Sequence, residues 1–160
     1  MTIRRHLSLS LLAGLAMAAA APAAAEDASV AKRLDSAGLK YDVDNDGDYK
    51  LTFNYTQEGR TQLVFVSGTT QAVGGMTIRE VFSPAGRVER DGINGKRALE
   101  LLEASGGMKL GSWEIRGDVL YFVIKVLDTA SAKELSSMLD IAAETADDKE
   151  IELSGERDDL

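Results

Sequence analysis

The residues best placed to do chemistry lie in the stretch Tyr41-Asp42-Val43-Asp44-Asn45-Asp46-Gly47-Asp48-Tyr49, where four carboxylates and an asparagine surround one glycine. Laid on the calcium loop of a helix-loop-helix EF-hand, Asp42, Asp44 and Asp46 fill the first, third and fifth ligand positions and Gly47 fills the sharp turn at the sixth. The second half breaks the pattern. Lys50 falls at the ninth position, and Phe53 stands at the twelfth, where a bidentate glutamate is needed. The residues that follow alternate as a strand and do not open a helix. Asp46-Gly47 is also a tight-hairpin dipeptide, and Asp44 and Asn45 favour turns through local side-chain bonds. The stretch therefore reads as a turn; the alternative reading is a small-ligand or weak calcium-binding sensor domain using the Asp42–Asp48 loop, with Asp42, Asp44, Asp46 and Asp48 as the calcium ligands.

Other chemistries are thinner still. Ser29-Val30-Ala31-Lys32 spells the S-x-x-K of serine acyl-enzymes, but the S-D-N and K-T-G companions are missing, so the match is a coincidence of spacing. The carboxylate pairs Glu80 with Glu89 and Glu100 with Glu103 could serve acid–base hydrolysis only if a fold brought them to one cleft. With 26 acidic residues in 160, such pairs arise by chance, and solvated faces account for them. Asn54-Tyr55-Thr56 fits a glycosylation sequon, which matters only in a eukaryotic secretory pathway. The one histidine is His6, and the chain has no cysteine. Beyond the N-terminal segment, imidazole catalysis, thiolate nucleophiles, zinc sites and disulfides are excluded. No catalytic residue and no cofactor is expected, and the domain must be held by its core.

That N-terminal segment has the form of a secretory signal peptide. Arg4 and Arg5 precede an apolar run from Leu7 to Ala20, and Ala23-Ala24-Ala25 offers a small-residue cleavage site before Glu26. The run is alanine-rich, shorter than a bilayer span, and ends at Pro22. Residues 1–25 are thus expected to be removed, leaving a periplasmic or secreted domain that does not insert in a membrane. The formal charge of the whole chain is −8, and losing Arg4 and Arg5 makes it more negative, which disfavours nucleic acid and anionic lipid as partners.

The remaining chain is a single domain in length, and its periodicity sets the order of elements. Val30, Leu34 and Ala37 make a helical stripe closed by Gly38. Tyr49, Leu51, Phe53 and Tyr55 then alternate with polar residues, Leu63–Val66 is a continuous apolar strand, and a third strand covers Met76–Phe82 with Pro84 outside it. Asn94 is placed to cap a second helix with Ala98, Leu101 and Leu102 as its buried stripe, ending at Gly106-Gly107. Two strands, Met108–Arg116 and Val119–Leu127, flank the hairpin signal Gly117-Asp118. Ser131 and Glu134 form a capping box for a last helix running to about Thr145, and residues 147–160 read as a solvated acidic tail. The expected fold is α+β, a mainly antiparallel sheet with helices on one face in the order α-β-β-β-α-β-β-α.

The stretch Gly38–Phe53 with its Asp46-Gly47-Asp48-Tyr49, the helix containing Ala98-Leu99-Glu100-Leu101-Leu102, and the run Val119–Thr129 before a closing amphipathic helix resemble the YbjN-domain family of bacterial proteins, over residues 26–146. That resemblance implies a fold like that of type III secretion chaperones and a non-enzymatic module that binds polypeptide segments or regulates sensory transduction. It carries no family active site. It also implies a homodimer, which agrees with the sheet offering more apolar surface than three helix stripes can cover.

Overall fold

The structure, a computed structural model, describes residues 27–155, 157, 158 and 160; the signal peptide expected over residues 1–25 lies outside them. Helix α1 (Ala28–Ser36) starts where the Asp27 carboxylate accepts from the Ser29 amide at 2.8 Å, and it buries Val30 and Leu34. Seven strands follow: β1 (Asp42–Val43), β2 (Tyr49–Tyr55), β3 (Arg60–Val66), β4 (Gln71–Val73), β5 (Met76–Arg87), β6 (Ser112–Arg116) and β7 (Val119–Leu127). They form one antiparallel sheet in the order β1-β2-β3-β5-β7-β6, with β4 folded back on the start of β5. Helix α2 (Gly95–Gly107) links β5 to β6, and α3 (Ala132–Ser154) closes the chain. The α+β fold read from the sequence is the observed one, with β1 and β4 as short additions.

Residues paired across antiparallel strands share a face, so the register sorts the side chains. Tyr49 and Leu51 pair with Val66 and Val64, Val66 pairs with Val81, and Val81 pairs with Ile124. All of these are buried, in one cluster with Val30 and Leu34 of α1, Leu101 of α2 and Leu135, Leu139, Ala142, Ala143 and Ala146 of α3. The three helices therefore cover one face of the sheet.

Three expectations need correction. Pro84 lies inside β5, which runs on to Arg87 with an irregularity between Pro84 and Gly86. It is tolerated because the ladder between β3 and β5 stops at Phe65–Phe82, so nothing opposite position 84 asks for its missing N–H. In α2, Leu101 alone is buried, Leu102 is 68 % exposed, and the Asn94 side chain makes no capping bond. Finally, the acidic tail does not start at residue 147. The capping box at Ser131 and Glu134 is present as read, but α3 continues to Ser154, and Asp147 and Glu150 are buried. Positions 139, 142, 143, 146, 147 and 150 continue one helical stripe, and charge at the last two hid it.

Those two acids are buried because β3 begins with an arginine aimed at them. Arg60 Nε donates to Asp147 at 2.8 Å and Nη2 to Glu150 at 2.9 Å. A second buried arginine, Arg79, serves the opposite end of the sheet: it is paired with Asp27 and, at 2.7 Å, with Asp128, to which Arg33 of α1 also donates. Removing one member of a buried charged cluster leaves the others desolvated without compensation. Arg60→Ala is therefore expected to lower the unfolding free energy by about 3–5 kcal/mol in urea titrations. Lys96→Ala, which breaks the exposed Lys96–Glu100 pair, should change it by about 0.5 kcal/mol or less.

Candidate functional site

The acidic loop is built as a hairpin turn. Asp42 and Val43 pair with Lys50 and Tyr49, and between them the Asp44 carboxylate accepts from the amides of Asp46 and Asp48, both at 3.0 Å. Gly47 sits at φ 84°, which is why a glycine follows Asp46. The Asp48 carboxylate accepts from the Gly68 amide at 2.8 Å, tying the turn to the chain leaving β3. Burial raises the Asp48 pKa, with Asp44 and Asp46 adding to the rise against the bonds from Gly68 and Ser67. Two of the four candidate ligands, Asp44 and Asp48, thus hold backbone amides. Among the described residues, no group of three or more His, Cys, Asp or Glu side chains is arranged to hold a metal ion. Gly68 was not singled out in the sequence, yet a Cβ there would lie 2.0 Å from the Gly47 carbonyl oxygen.

The other sequence candidates are dispersed into structural roles. Ser29 Oγ accepts from Arg33 in the first turns of α1. Glu80 pairs with Arg116 at 2.9 Å, Arg116 also bonds Glu114, and the Glu89 amide bonds Asp118. Glu100 lies on the exposed side of α2 against Lys96.

The uncovered face of the sheet carries an aromatic strip instead. Phe65 and Phe82 stack with centroids 5.2 Å apart, Tyr121 meets Phe82 edge-on, and the Arg116 guanidinium lies 5.5 Å above the Phe82 ring. Beside it, under the β4–β5 hairpin, a groove of about 260 Å³ is lined by Val73, Met76 and Ile78 with Glu80 and Lys125 at its side. At the free edge of the sheet, β6 leaves Ile115 48 % exposed, and the neighbouring α2 leaves Leu99 and Leu102 66 % and 68 % exposed.

A polar slot opens where β3 and β5 part. Past Phe82 the two strands no longer pair, and side chains answer the backbone groups that a ladder would have used. Ser83 Oγ donates to the Leu63 carbonyl at 2.6 Å, and Gln62 Nε2 donates to the Pro84 carbonyl at 2.6 Å. Gln62 and Ser83 are fully buried, and Gln62 Oε1 has no partner among the described residues. Nearer the mouth, the Thr61 amide donates to the Asp158 carboxylate at 3.1 Å, and Arg60 Nη1 donates to the Arg157 carbonyl at 2.7 Å. Across the slot, Asp91 accepts from the Arg87 amide and from the guanidinium groups of Arg90 and Arg157. Burial alone would raise the Asp91 pKa, but these three donors outweigh it and hold it at about 2. On the outer side of Arg60, burial and then the carboxylates of Asp147, Glu144, Asp148 and Asp140 push the Tyr55 phenol up to about 12.

No family model and no curated protein matches the sequence. Among solved structures, the fold is similar to the Yersinia pestis type III secretion chaperone SycH, solved in complex with a stable fragment of YscM2, with a TM-score of 0.50 at 14 % identity. The match covers 79 % of this chain and 98 % of that one. It shows a shared fold. The type III secretion chaperone-like fold expected from the sequence agrees with it, and the YbjN resemblance rests on the sequence motifs alone.

Two predictions follow from the turn and the slot. Gly47→Ala should cost about 1 kcal/mol from its backbone conformation, and Gly68→Ala more, because its methyl strikes backbone. Both costs should be the same with and without calcium, read from thermal melts. For Asp91, whose folded pKa is depressed, the stabilisation is present above the unfolded value near 3.8 and lost as pH falls towards 2. Asp91→Asn should cost about 2 kcal/mol at neutral pH and flatten the stability profile between pH 4 and about 2, measured by urea unfolding across that range.

Proposed function

We propose that this chain is an exported, non-enzymatic polypeptide-binding module of the YbjN type, acting as a homodimer. The observation that carries the reading is the surface formed by α2 and the free edge of β6. Leu99, Leu102, Leu110 and Ile115 are each between 47 % and 68 % exposed there, beside a strand whose outer backbone groups have no partner strand among the described residues. An apolar stripe beside an open sheet edge is the kind of surface a second chain covers. Two copies of α2 laid antiparallel would bring Leu99 against Leu102 in both directions and set Lys96 near Glu103, a self-complementary arrangement suited to a two-fold axis.

The polypeptide-binding part is supported by the likeness to SycH, whose structure contains a fragment of another protein. It is supported also by the second uncovered surface, the aromatic strip and groove on the open sheet face, which dimerisation through α2 and β6 leaves available. The acidic charge favours basic partners. Export rests on the form of residues 1–25. Weak calcium binding at Asp42, Asp44, Asp46 and Asp48 is the alternative, and the bonds that Asp44 and Asp48 make to backbone amides favour the turn.

Sedimentation of the chain without residues 1–25, at micromolar concentration, should give a dimer mass. Leu99→Glu with Leu102→Glu should convert it to a monomer of unchanged circular dichroism. A wild-type monomer with no concentration dependence contradicts the dimer. Recovery of no polypeptide from periplasmic extract on the immobilised wild-type chain, over several salt concentrations, contradicts the binding role.

A further inference from the structure

The parted strands β3 and β5 do more than accommodate a proline. Their mouth already holds a polypeptide segment, the chain's own Arg157 and Asp158. Each is recognised by groups of the surrounding walls. Asp158 receives the Thr61 amide through both carboxylate oxygens, at 3.3 and 3.1 Å, and the Thr61 hydroxyl as well. The Arg157 carbonyl receives Arg60 Nη1, and its guanidinium reaches Asp91, whose side chain is fully buried. The Thr61 amide faces the gap because it belongs to the set of β3 groups that would have paired with β5, as does the Leu63 carbonyl that Ser83 answers. The walls of the slot belong to the folded body: Arg60 is fixed by Asp147 and Glu150, and Asp91 by Arg90 and the Arg87 amide. The occupant, by contrast, lies at the surface. Arg157 is 43 % exposed, and the segment lies beyond the end of α3 at Gly155.

We infer that this slot is a polypeptide-binding site occupied in cis by the tail, and that its trans ligand is an extended segment in which a basic residue is followed by an acidic one. This deepens the polypeptide-binding reading above and rests on it. The slot supplies a carboxylate for a guanidinium, a guanidinium for a backbone carbonyl, and a free strand amide for a carboxylate, so the cis contacts state the chemistry of the partner. A tethered tail acts at an effective concentration in the millimolar range. Trans binding is therefore weakened in the intact chain by the small fraction of slots that are open, and releasing the tail strengthens it without adding a contact.

The test compares the intact chain with the variant Arg157→Ala, Asp158→Ala, both lacking residues 1–25. Each is titrated into a fluorescent synthetic peptide of residues 154–160, Ser-Gly-Glu-Arg-Asp-Asp-Leu, followed by anisotropy. The variant is expected to bind the peptide at least 10-fold more tightly than wild type. A peptide with alanine in place of its arginine should lose at least 10-fold, and adding Asp91→Asn to the variant should do the same. Equal affinity of variant and wild type, or no binding by a variant with native circular dichroism, overturns the inference. If the double variant does not fold, Asp158→Ala alone carries the comparison, with at least a 3-fold gain expected and no gain overturning it. A variant that captures partners from extract yet gains no affinity for the peptide removes the slot and leaves the binding module standing. Failure of the extract experiment alongside a positive titration does the reverse.

Discussion

The rest of the structure depends on the parting of two neighbouring strands, β3 and β5. Pro84 lies in a strand at the middle of the sheet, on the side that faces β3, and it has no N–H to offer. The β3–β5 ladder stops at Phe65–Phe82, and beyond that pair the strands are apart, so the missing donor breaks no ladder bond. Every consequence downstream is a way of answering the backbone groups thus released. Ser83 and Gln62 answer the inner ones with side chains, and Arg60, Asp147 and Glu150 close the outer end with charge. The tail answers the Thr61 amide. Gly86 lies in the same region, where a Cβ would meet the Leu153 side chain of α3 at 2.8 Å.

Ion pairs pin the two ends of the sheet in a chain that has no cysteine for disulfides. Helix α3 crosses β3, β5 and β7, and α1 packs on α3, so the apolar core gives these layers adhesion without fixing their register at the margins. Arg79 with Asp27, Asp128 and Arg33 sets the register of α1 against the sheet, and Arg60 with Asp147 and Glu150 sets that of α3. Buried ion pairs are poor sources of net stability but costly to mispair, which suits them to this task. What they leave uncovered is the aromatic strip, the α2–β6 edge and the slot.

Legibility in the sequence followed the source of each element's stability. Where burial is apolar and periodic, as in β2, β7, α1 and the first half of α3, the pattern and the observed faces agree, and the capping box at Ser131 and Glu134 is present as read. Where burial is polar, the pattern misleads. Asp147 and Glu150 look like tail because hydrophobic periodicity cannot register a carboxylate held by an arginine almost ninety positions earlier. Leu102 looks like core because an apolar residue at helical spacing does not say whether its partner is this chain or another. Pro84 looks like a strand terminator because its tolerance depends on a neighbour strand having already left. The slot had one signal, an arginine opening β3 and acids repeating at helical spacing in a charged tail, visible only if tail and strand are considered together.

The central claim is that β3 and β5 are parted and that the tail caps the released strand edge at Thr61. Amide hydrogen exchange followed by nuclear magnetic resonance, residue by residue on the chain lacking residues 1–25, tests it most directly. The account predicts that the Thr61 amide is protected in wild type, that it loses this protection in Arg157→Ala, Asp158→Ala, and that the amides within the β2–β3 ladder stay protected in both. A Thr61 amide whose protection is the same in the two proteins would contradict it.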